Sequence, residues 1–582
     1  MLSYKKVCIA IFPLFFALML SCQSKDGNES VTKSTELFSI KSPSITPALY
    51  LPAPTYPEGV IIKPVLLLDG VAHEVIPENA YYNAYMYRVK LEPGRKYSIA
   101  IAVYASKPEQ FDGDVLLADT LPKEYMLDEN QNRYIDDLPA FRFDYDEDSD
   151  GLKNWEEIQY GTHPYEVNTR LLQVISQENA YQAKVREFAL GVIGTPDGGF
   201  VAVGDSLNLN NYWRDTMVWK YTGNGLLDSN FYNNGVFSYD TAVGTYHNGR
   251  AWGVSHTADG GWVVVGESYT DTLTDDMTVW KFDASGLLDT SFDGDGVLIY
   301  DLASADQSNE YARAVASTLD GGWVVVGNIQ SVGSYSDVAV WKFTSAGILD
   351  PNFGNGGLFT RHYASGNAKA HGVSSTSDGG WVVVGETMNE RLNTDMTVWK
   401  FSADGKLDIG FDGDGVFSYD RDLASNYNEV AYGVTSTVNG GWIVVGGSAP
   451  DMVVWKFNAN GLLDSDFYAN GVLTYRGAAG GGGTDIALSV SNTTDNGWVV
   501  AGYSSNLIGY FEMAVWKFTA DGLLDTDFYG DGVFTHQINN NSNHYGYSVI
   551  GTADGGWVVV GRSEYLYSLY DYGNMVAWRF GR

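Results

Sequence analysis

The run AWGVSHTADGGWVVVGESYTDTLTDDMTVWKFDASGLLDTSFDGDGVLIYD, residues 251–301, decides the fold. It holds four strand signals, AWGVSHT, WVVVGES, MTVWKF and GVLIYD, which are apolar or alternating runs rich in valine and aromatics. We call them strands a to d. The ADGG between a and b is a tight turn that needs a positive φ, and the longer ASGLLDTSFDGDG joins c to d. No helix of useful length fits between these signals.

The unit recurs. The aromatic that follows its glycines falls at Phe200, Trp262, Trp323, Trp381, Trp442, Trp498 and Trp557, in steps of 56 to 62 residues. Seven copies of four antiparallel strands predict an all-β chain built on a seven-bladed β-propeller, with a two-sheet β-solenoid as the alternative. The ends favour the ring. The last copy stops at NMVAWRFGR without a strand d, and NTRLLQVIS (168–176), upstream of the first copy, is a strand without a partner. If the second completes the first, no sheet edge stays exposed. In the run DGGWVVVG…VWKF…GLLD the unit resembles the delta-60 repeat of bacterial surface proteins. That resemblance covers the repeat region and implies fold and location, with no activity to carry over.

Groups present in nearly every copy read as architecture. Lys220, Lys281, Lys342, Lys400, Lys456, Lys517 and Arg579 recur, followed by Asp228, Asp289, Asp350, Asp408, Asp464 and Asp525. We expect a repeated Lys–Asp pair or turn cap, not a catalytic dyad. FDGDG (292–296, 411–415) reads as a hairpin turn, and GAAGGGGT (477–484) as a flexible loop. The histidines are scattered, with His247 and His544 expected in loops. There is no GKS/T loop, HExxH helix or GxSxG elbow.

Successive strands alternate in direction, so the a–b and c–d connections share one face and the b–c and d–a connections share the other. The first face carries near-identical turns. The second carries loops that differ in every copy, such as SLNLNNYWRD and SEYLYSLYDYGN. Function is free to vary in such loops. They supply the candidate ligand residues Tyr212, Trp213, Tyr269, Tyr565, Tyr567, Tyr570 and Tyr572, with further aromatics such as Tyr545 and acids such as Asp275, Asp276 and Glu390 on the same face. Aromatics with acids suit a glycan or a basic protein surface. The expected role is a binding or scaffold protein. The alternatives are an extracytoplasmic glycan lyase or hydrolase on the same face, for which no catalytic set can be assembled, or a purely structural surface protein.

The N-terminus reads as an address. Lys5 and Lys6 precede the apolar run VCIAIFPLFFALML, which is short for a spanning helix. The following MLSC resembles a bacterial lipobox. This implies cleavage before Cys22, lipid on its thiol, and anchoring to a membrane. Gln23 in place of an aspartate leans, by the same resemblance, toward the outer membrane or cell surface. Cys8 and Cys22 are the only cysteines, so no disulfide framework exists in the mature chain. A net charge of −35 argues against nucleic acid and suits divalent cations or basic partners. A monomer is expected.

Between tether and repeats, DEDSDGLKNWEE places Asp146, Asp148, Asp150, Leu152 (through its carbonyl), Asn154 and Glu157 on the spacing of a twelve-residue calcium loop. The stretch resembles thrombospondin type 3 repeats, and Ca²⁺ is the expected cofactor. A weaker version at Asp128, Asn130, Asn132 and Asp136 has Arg133 where glycine is wanted. The expected order is a signal peptide (1–21), a tether (22–36), a small β-sandwich (37–125), a calcium-loop segment (126–165) and the propeller (166–582).

Overall fold

The structure is a computed structural model. Ahead of the repeats it describes residues 36–41, 61–73, 78–79, 85–91, 95–106, 114–120, 122–126, 134–135, 138, 141–142 and 171–176. It then describes 185–581, except 233, 240–247, 270–273, 303–307, 332–333, 421–426, 469, 538–541, 554 and 566–571. Cys22, the loop Asp146–Glu157, Tyr567 and Tyr570 lie outside the described residues. So do the side chains of Tyr565 and Tyr572. The described residues contain strands and turns and no helix. Among the described residues, no helix is therefore long and apolar enough to cross a membrane.

The chain divides into two compact units. The first holds two sheets. One orders its strands Glu78–Asn79, Tyr85–Leu91, Glu36–Lys41 and Tyr134–Ile135. The other orders Phe141–Arg142, Asp114–Thr120, Lys96–Ser106, Ile61–Leu68 and Val71–His73, with Lys123–Met126 also on Lys96–Ser106. Two short strands, Tyr134–Ile135 and Phe141–Arg142, therefore extend these sheets beyond residue 125. Leu66, Leu68, Ile99, Ile101 and Val103 are buried in the second sheet.

The second unit is built from the repeat. In repeat 2, strands a to d are Gly249–His256, Trp262–Tyr269, Asp275–Phe282 and Val297–Tyr300, paired antiparallel in that order. Repeats 3 to 6 form the same four-stranded sheet. Strand b, with both faces covered, is buried almost throughout. Its valines and the tryptophan of strand c pack between neighbouring sheets, as Val263, Val265, Trp323 and Trp341 do between repeats 2 and 3.

Strand a is innermost. The a strands of consecutive repeats pack on one another, and the last, Ser542–Gly551, packs on the first, Val185–Gly194. A cluster containing Ala189, Trp219, Val558, Val560 and Ala577 likewise joins the last repeat to the first. The fourth strand of the last sheet is Leu171–Ser176, antiparallel on Tyr572–Phe580, with Val174 opposite Trp578. One parallel bridge, Arg186 with Gly573, ties this sheet to that of repeat 1.

Two expectations are corrected. Glycines 480–483 do not form a loop. They begin a long strand a in repeat 6, Gly480–Asn492. His544 lies inside strand a of repeat 7, fully buried, with Nε2 3.0 Å from the Ser563 hydroxyl. Burial pushes its imidazole down to about 4, so it stays neutral at physiological pH.

The recurrent lysines do pair with the recurrent aspartates. Lys342 Nζ lies 2.6 Å from Asp350 and 2.7 Å from Asp320. Asp320 belongs to the a–b turn, where it also accepts from Thr318 and from the Gly322 amide. Each such lysine thus pins two turns on one face. In repeat 5, Asn439 stands where the turn aspartate would be, and Lys456 pairs with Asp464 alone among these acids.

Glu187, in strand a of repeat 1, is buried, and its Oε2 has no hydrogen-bond partner. Burial pushes its carboxyl up to about 7. A raised acid favours folding below the ordinary glutamate range, and that advantage is lost as pH rises toward 7. On the order of 3 kcal/mol should disappear across this window. Glu187→Gln should therefore unfold at higher denaturant than the parent at pH 8 and at the same denaturant at pH 4. An identical offset at both pH values would refute the assignment.

Candidate functional site

Every strand a carries a β-bulge at one position. The unpaired residues are Leu190, Trp252, Arg313, His371, Tyr432, Leu488 and Tyr547. A bulge re-aims a side chain without ending the strand. All of these residues line one central cavity of 690 Å³, within the usual range for small-molecule sites. Each is flanked by small residues, such as Ala251 and Gly253 around Trp252, or Ala370 and Gly372 around His371.

A second variable set follows the glycine of strand b: Asp205, Glu267, Asn328, Glu386, Gly447, Tyr503 and Arg562; of these, Asn328 and Tyr503 line the cavity. Both sets differ from copy to copy inside strands that otherwise repeat. Asn328, Gln330 and Ser336, at the end of strand b and the start of strand c, also line the cavity. It therefore opens on the face of the divergent loops.

The walls differ in chemistry. On repeats 2 to 4 they are paired charges. The Arg250 and Arg313 guanidinium groups lie 5.0 and 4.2 Å from the Trp252 ring centre. Trp252 Nε1 donates to Glu267 at 2.7 Å, and Arg313 lies 3.8 Å from the same carboxylate. Arg250 donates to Asp205 at 3.0 Å, and Tyr311 to Asp275 at 3.2 Å. Lys369 and His371 face Glu386 at 3.5 and 3.8 Å. Burial raises the Glu267 carboxyl while Arg313 opposes the shift. Burial raises Glu386 too, but His371 and Lys369 outweigh it and the net shift is downward.

On repeats 5 to 7 the walls are aromatic. Tyr503 and Tyr545 meet edge to face at 5.1 Å, and Tyr545 stacks on Tyr547 at 5.8 Å. Arg562 lies 4.6 Å from the Tyr545 ring centre. Burial pushes Tyr311 and Tyr432 up to about 12 and raises Tyr547 as well. Every one of these hydroxyls is a neutral donor at physiological pH.

The sequence candidates fall elsewhere. Tyr212 is exposed, with 72% of its surface free, and Trp213 beside it is exposed at 40%. Both are on the b–c loop of repeat 1, and Tyr269 ends strand b of repeat 2. None of these three lines the cavity. Asp276, expected on the open face, is buried. Among the cavity aromatics, Tyr545 alone belongs to the loop aromatics that sequence reading placed on this face. The signal that could have found the rest is the recurring small–x–small–Val of strand a, in which only x changes: ALGV, AWGV, ARAV, AHGV, AYGV, ALSV and GYSV.

A second cavity, of 340 Å³, lies on the repeated-turn face between Lys456 and Trp498. It is walled by the turn residues that recur in other copies and carries no comparable set of variable side chains.

A family model described as a domain of unknown function (DUF5122) beta-propeller matches residues 319–353 and 440–467. No curated protein matches. Among solved structures, the β-propeller domain of the Trilobed protease from Pyrococcus furiosus, described as an open velcro topology, is 12% identical with a TM-score of 0.34. The match covers 68% of this chain and 94% of that one. A protein of unknown function from Dyadobacter fermentans is 11% identical with a TM-score of 0.36, over 71% and 99% of the two chains. The WD40 domain of SCAP from fission yeast is 8% identical with a TM-score of 0.32, over 70% and 98%.

Proposed function

We propose that this chain, a β-propeller protein by its sheets and by the family model it matches, is a lipid-anchored binding protein that takes a glycan into the mouth of the central cavity. The propeller has seven blades, closed by Leu171–Ser176. The two sheets ahead of it pack as a small sandwich. A calcium-loaded loop at Asp146–Glu157 stiffens the junction, and the lipid on Cys22 holds the protein at the outer membrane or cell surface.

One observation carries the binding role: residues that vary from repeat to repeat converge on the cavity from strands that otherwise repeat. A purely architectural channel has no reason to differ in every copy. The chemistry suits a sugar. One wall presents guanidinium, lysine, histidine and amide groups for hydroxyls, and the other presents tyrosine faces for the apolar side of a pyranose ring. The cations Arg250, Arg313 and Lys369 on this wall are paired with the carboxylates of Asp205, Glu267 and Glu386 behind it, which favours a neutral polyhydroxylated ligand over an ion.

A glycan array with the full chain tests this reading. Saturable binding is expected, weakened about tenfold by Tyr432→Ala and again by Tyr547→Ala. Tyr212→Ala and Trp213→Ala, on the loop rim, should cost less. Binding that survives both cavity changes and is lost on the loop changes would move the site to the rim. Mass spectrometry of the same preparation from its native host should find lipid on Cys22.

A further inference from the structure

Where one repeat meets the next, three equivalent positions lie together. They are an acid near the start of strand c, the residue just after strand d, and the residue three before the bulge in the following strand a. Between repeats 3 and 4 they are Asp337, His362 and Ala368, and His362 Nδ1 lies 2.8 Å from Asp337. Between repeats 5 and 6 they are Asp451, Arg476 and Asp485, with the Arg476 guanidinium donating to Asp451. Between repeats 4 and 5 they are Asp395, Asp420 and Glu429, and Arg391 donates to Asp420 at 2.9 Å. In these niches the chain supplies a basic side chain to the acids.

Between repeats 2 and 3 the residues are Asp276, Asp301 and Glu310, and an acid stands at the position of His362 and Arg476. One carboxylate oxygen from each lies within 4.8 Å of the others. Asp276 is buried and accepts from the Thr274 hydroxyl at 2.8 Å. Glu310 has no exposed surface. Its Oε1 accepts from Ser308 at 2.5 Å, and its Oε2 is buried with no hydrogen-bond partner. An orphaned carboxylate oxygen among other carboxylates is costly unless a cation joins them.

We propose that Asp276, Asp301 and Glu310 bind a calcium ion between repeats 2 and 3, in the place that arginine or histidine side chains fill in equivalent niches. The spacing admits calcium: oxygens at 2.3–2.6 Å from it can lie up to about 5 Å apart across the ion, and those here are all within 4.8 Å of one another. The Thr274 and Ser308 hydroxyls hold the carboxylates of Asp276 and Glu310 in place, as outer partners of metal ligands do. The ion fastens two neighbouring sheets, and the proposal does not rest on the loop at Asp146–Glu157.

Equilibrium dialysis with radioactive calcium, on the full chain, tests this. Asp301→Arg copies repeat 5 and is expected to fold, to bind one calcium fewer per chain, and to lose the part of the calcium-dependent rise in melting midpoint that this site provides. Glu310→Gln, which keeps shape and volume, is expected to weaken calcium binding at this site at least tenfold. A triple change of Asp146, Asp148 and Asp150 to Asn should leave this equivalent intact. If Asp301→Arg fails to fold, Glu310→Gln decides alone. Full stoichiometry and affinity in Glu310→Gln, or loss of all calcium in the triple variant, would overturn the proposal.

Discussion

Deleting residues 171–176 should remove most of the stability of the repeat unit. The segment is short, but it is the outer strand of the last sheet, against Tyr572–Phe580. Its Ile175 packs on the cluster that joins the last repeat to the first. The deletion unpairs one side of Tyr572–Phe580 and strips Ile175 from that core. At about 1 kcal/mol for each lost backbone bond and 1.5–3 kcal/mol for the isoleucine, the cost is roughly 5 kcal/mol. That approaches the whole stability of many domains. The exposed strand is also a template for pairing with other chains. We expect a large drop in the urea midpoint together with concentration-dependent light scattering. Ile175→Pro, which removes one amide and the buried side chain without shortening the chain, should show the same trend at smaller size. A deletion variant with the parent's midpoint would mean that the ring holds without this strand, and the closure reading would fall.

Much of this architecture was legible because it is periodic. Strands b and c are marked by WVVVG and VWKF, the a–b turns by glycine, and the orphan strand at 168–176 by its lack of a partner. The Lys–Asp pairs were legible as pairs because both members recur, although the second aspartate, which the a–b turn supplies to every one of these lysines but Lys456, was not. The site was not legible, for a physical reason. Divergent loops draw attention by length and composition, whereas the cavity is lined by single variable residues inside strands. A two-residue alternation cannot say which face such a residue takes, because the bulge at Trp252 or Tyr432 resets it. The order of strands from the axis outward was equally hidden, since four antiparallel strands read the same from either edge. His544 misled as an isolated polar residue near a loop. Only packing against Ser563 reveals it as a buried neutral partner. The glycine run 480–483 misled through composition, since glycine weakens a strand without forbidding one.

Gly266→Ala should be among the most damaging single changes in the chain, although it adds one methyl group. The excess of glycine suits tight turns, and many glycines here do have positive φ. Gly266 does not belong to that group. It lies in strand b, and a Cβ built on it would come 1.8 Å from the Arg250 carbonyl oxygen. The same glycine recurs with equally close approaches, as at Gly327 to the Tyr311 carbonyl (1.7 Å) and Gly385 to the Lys369 carbonyl (1.9 Å). In each case the carbonyl belongs to the residue two before the bulge. The bulge pushes this stretch of strand a against strand b, and only a residue without a side chain fits beneath it. Glycine on one strand and the bulge on the other are thus a single device, and its product is a side chain aimed into the cavity. An alanine here must displace backbone on both sides, with a cost of about 3 kcal/mol or more. Relief would come from flattening the bulge, which turns Trp252 away from the cavity and breaks its 2.7 Å bond to Glu267. We therefore expect Gly266→Ala to lower the urea midpoint and to weaken glycan binding beyond what its residual folded fraction explains. Gly260→Ala, in the turn of the same repeat at φ +85° where a Cβ would meet only the Ala284 Cβ at an ordinary 3.8 Å, should cost only about 1 kcal/mol of turn strain and leave binding unchanged. If the two variants lose equal stability and equal binding, the glycine–bulge coupling is wrong, and the cavity residues are held by something other than the pairing of strands a and b.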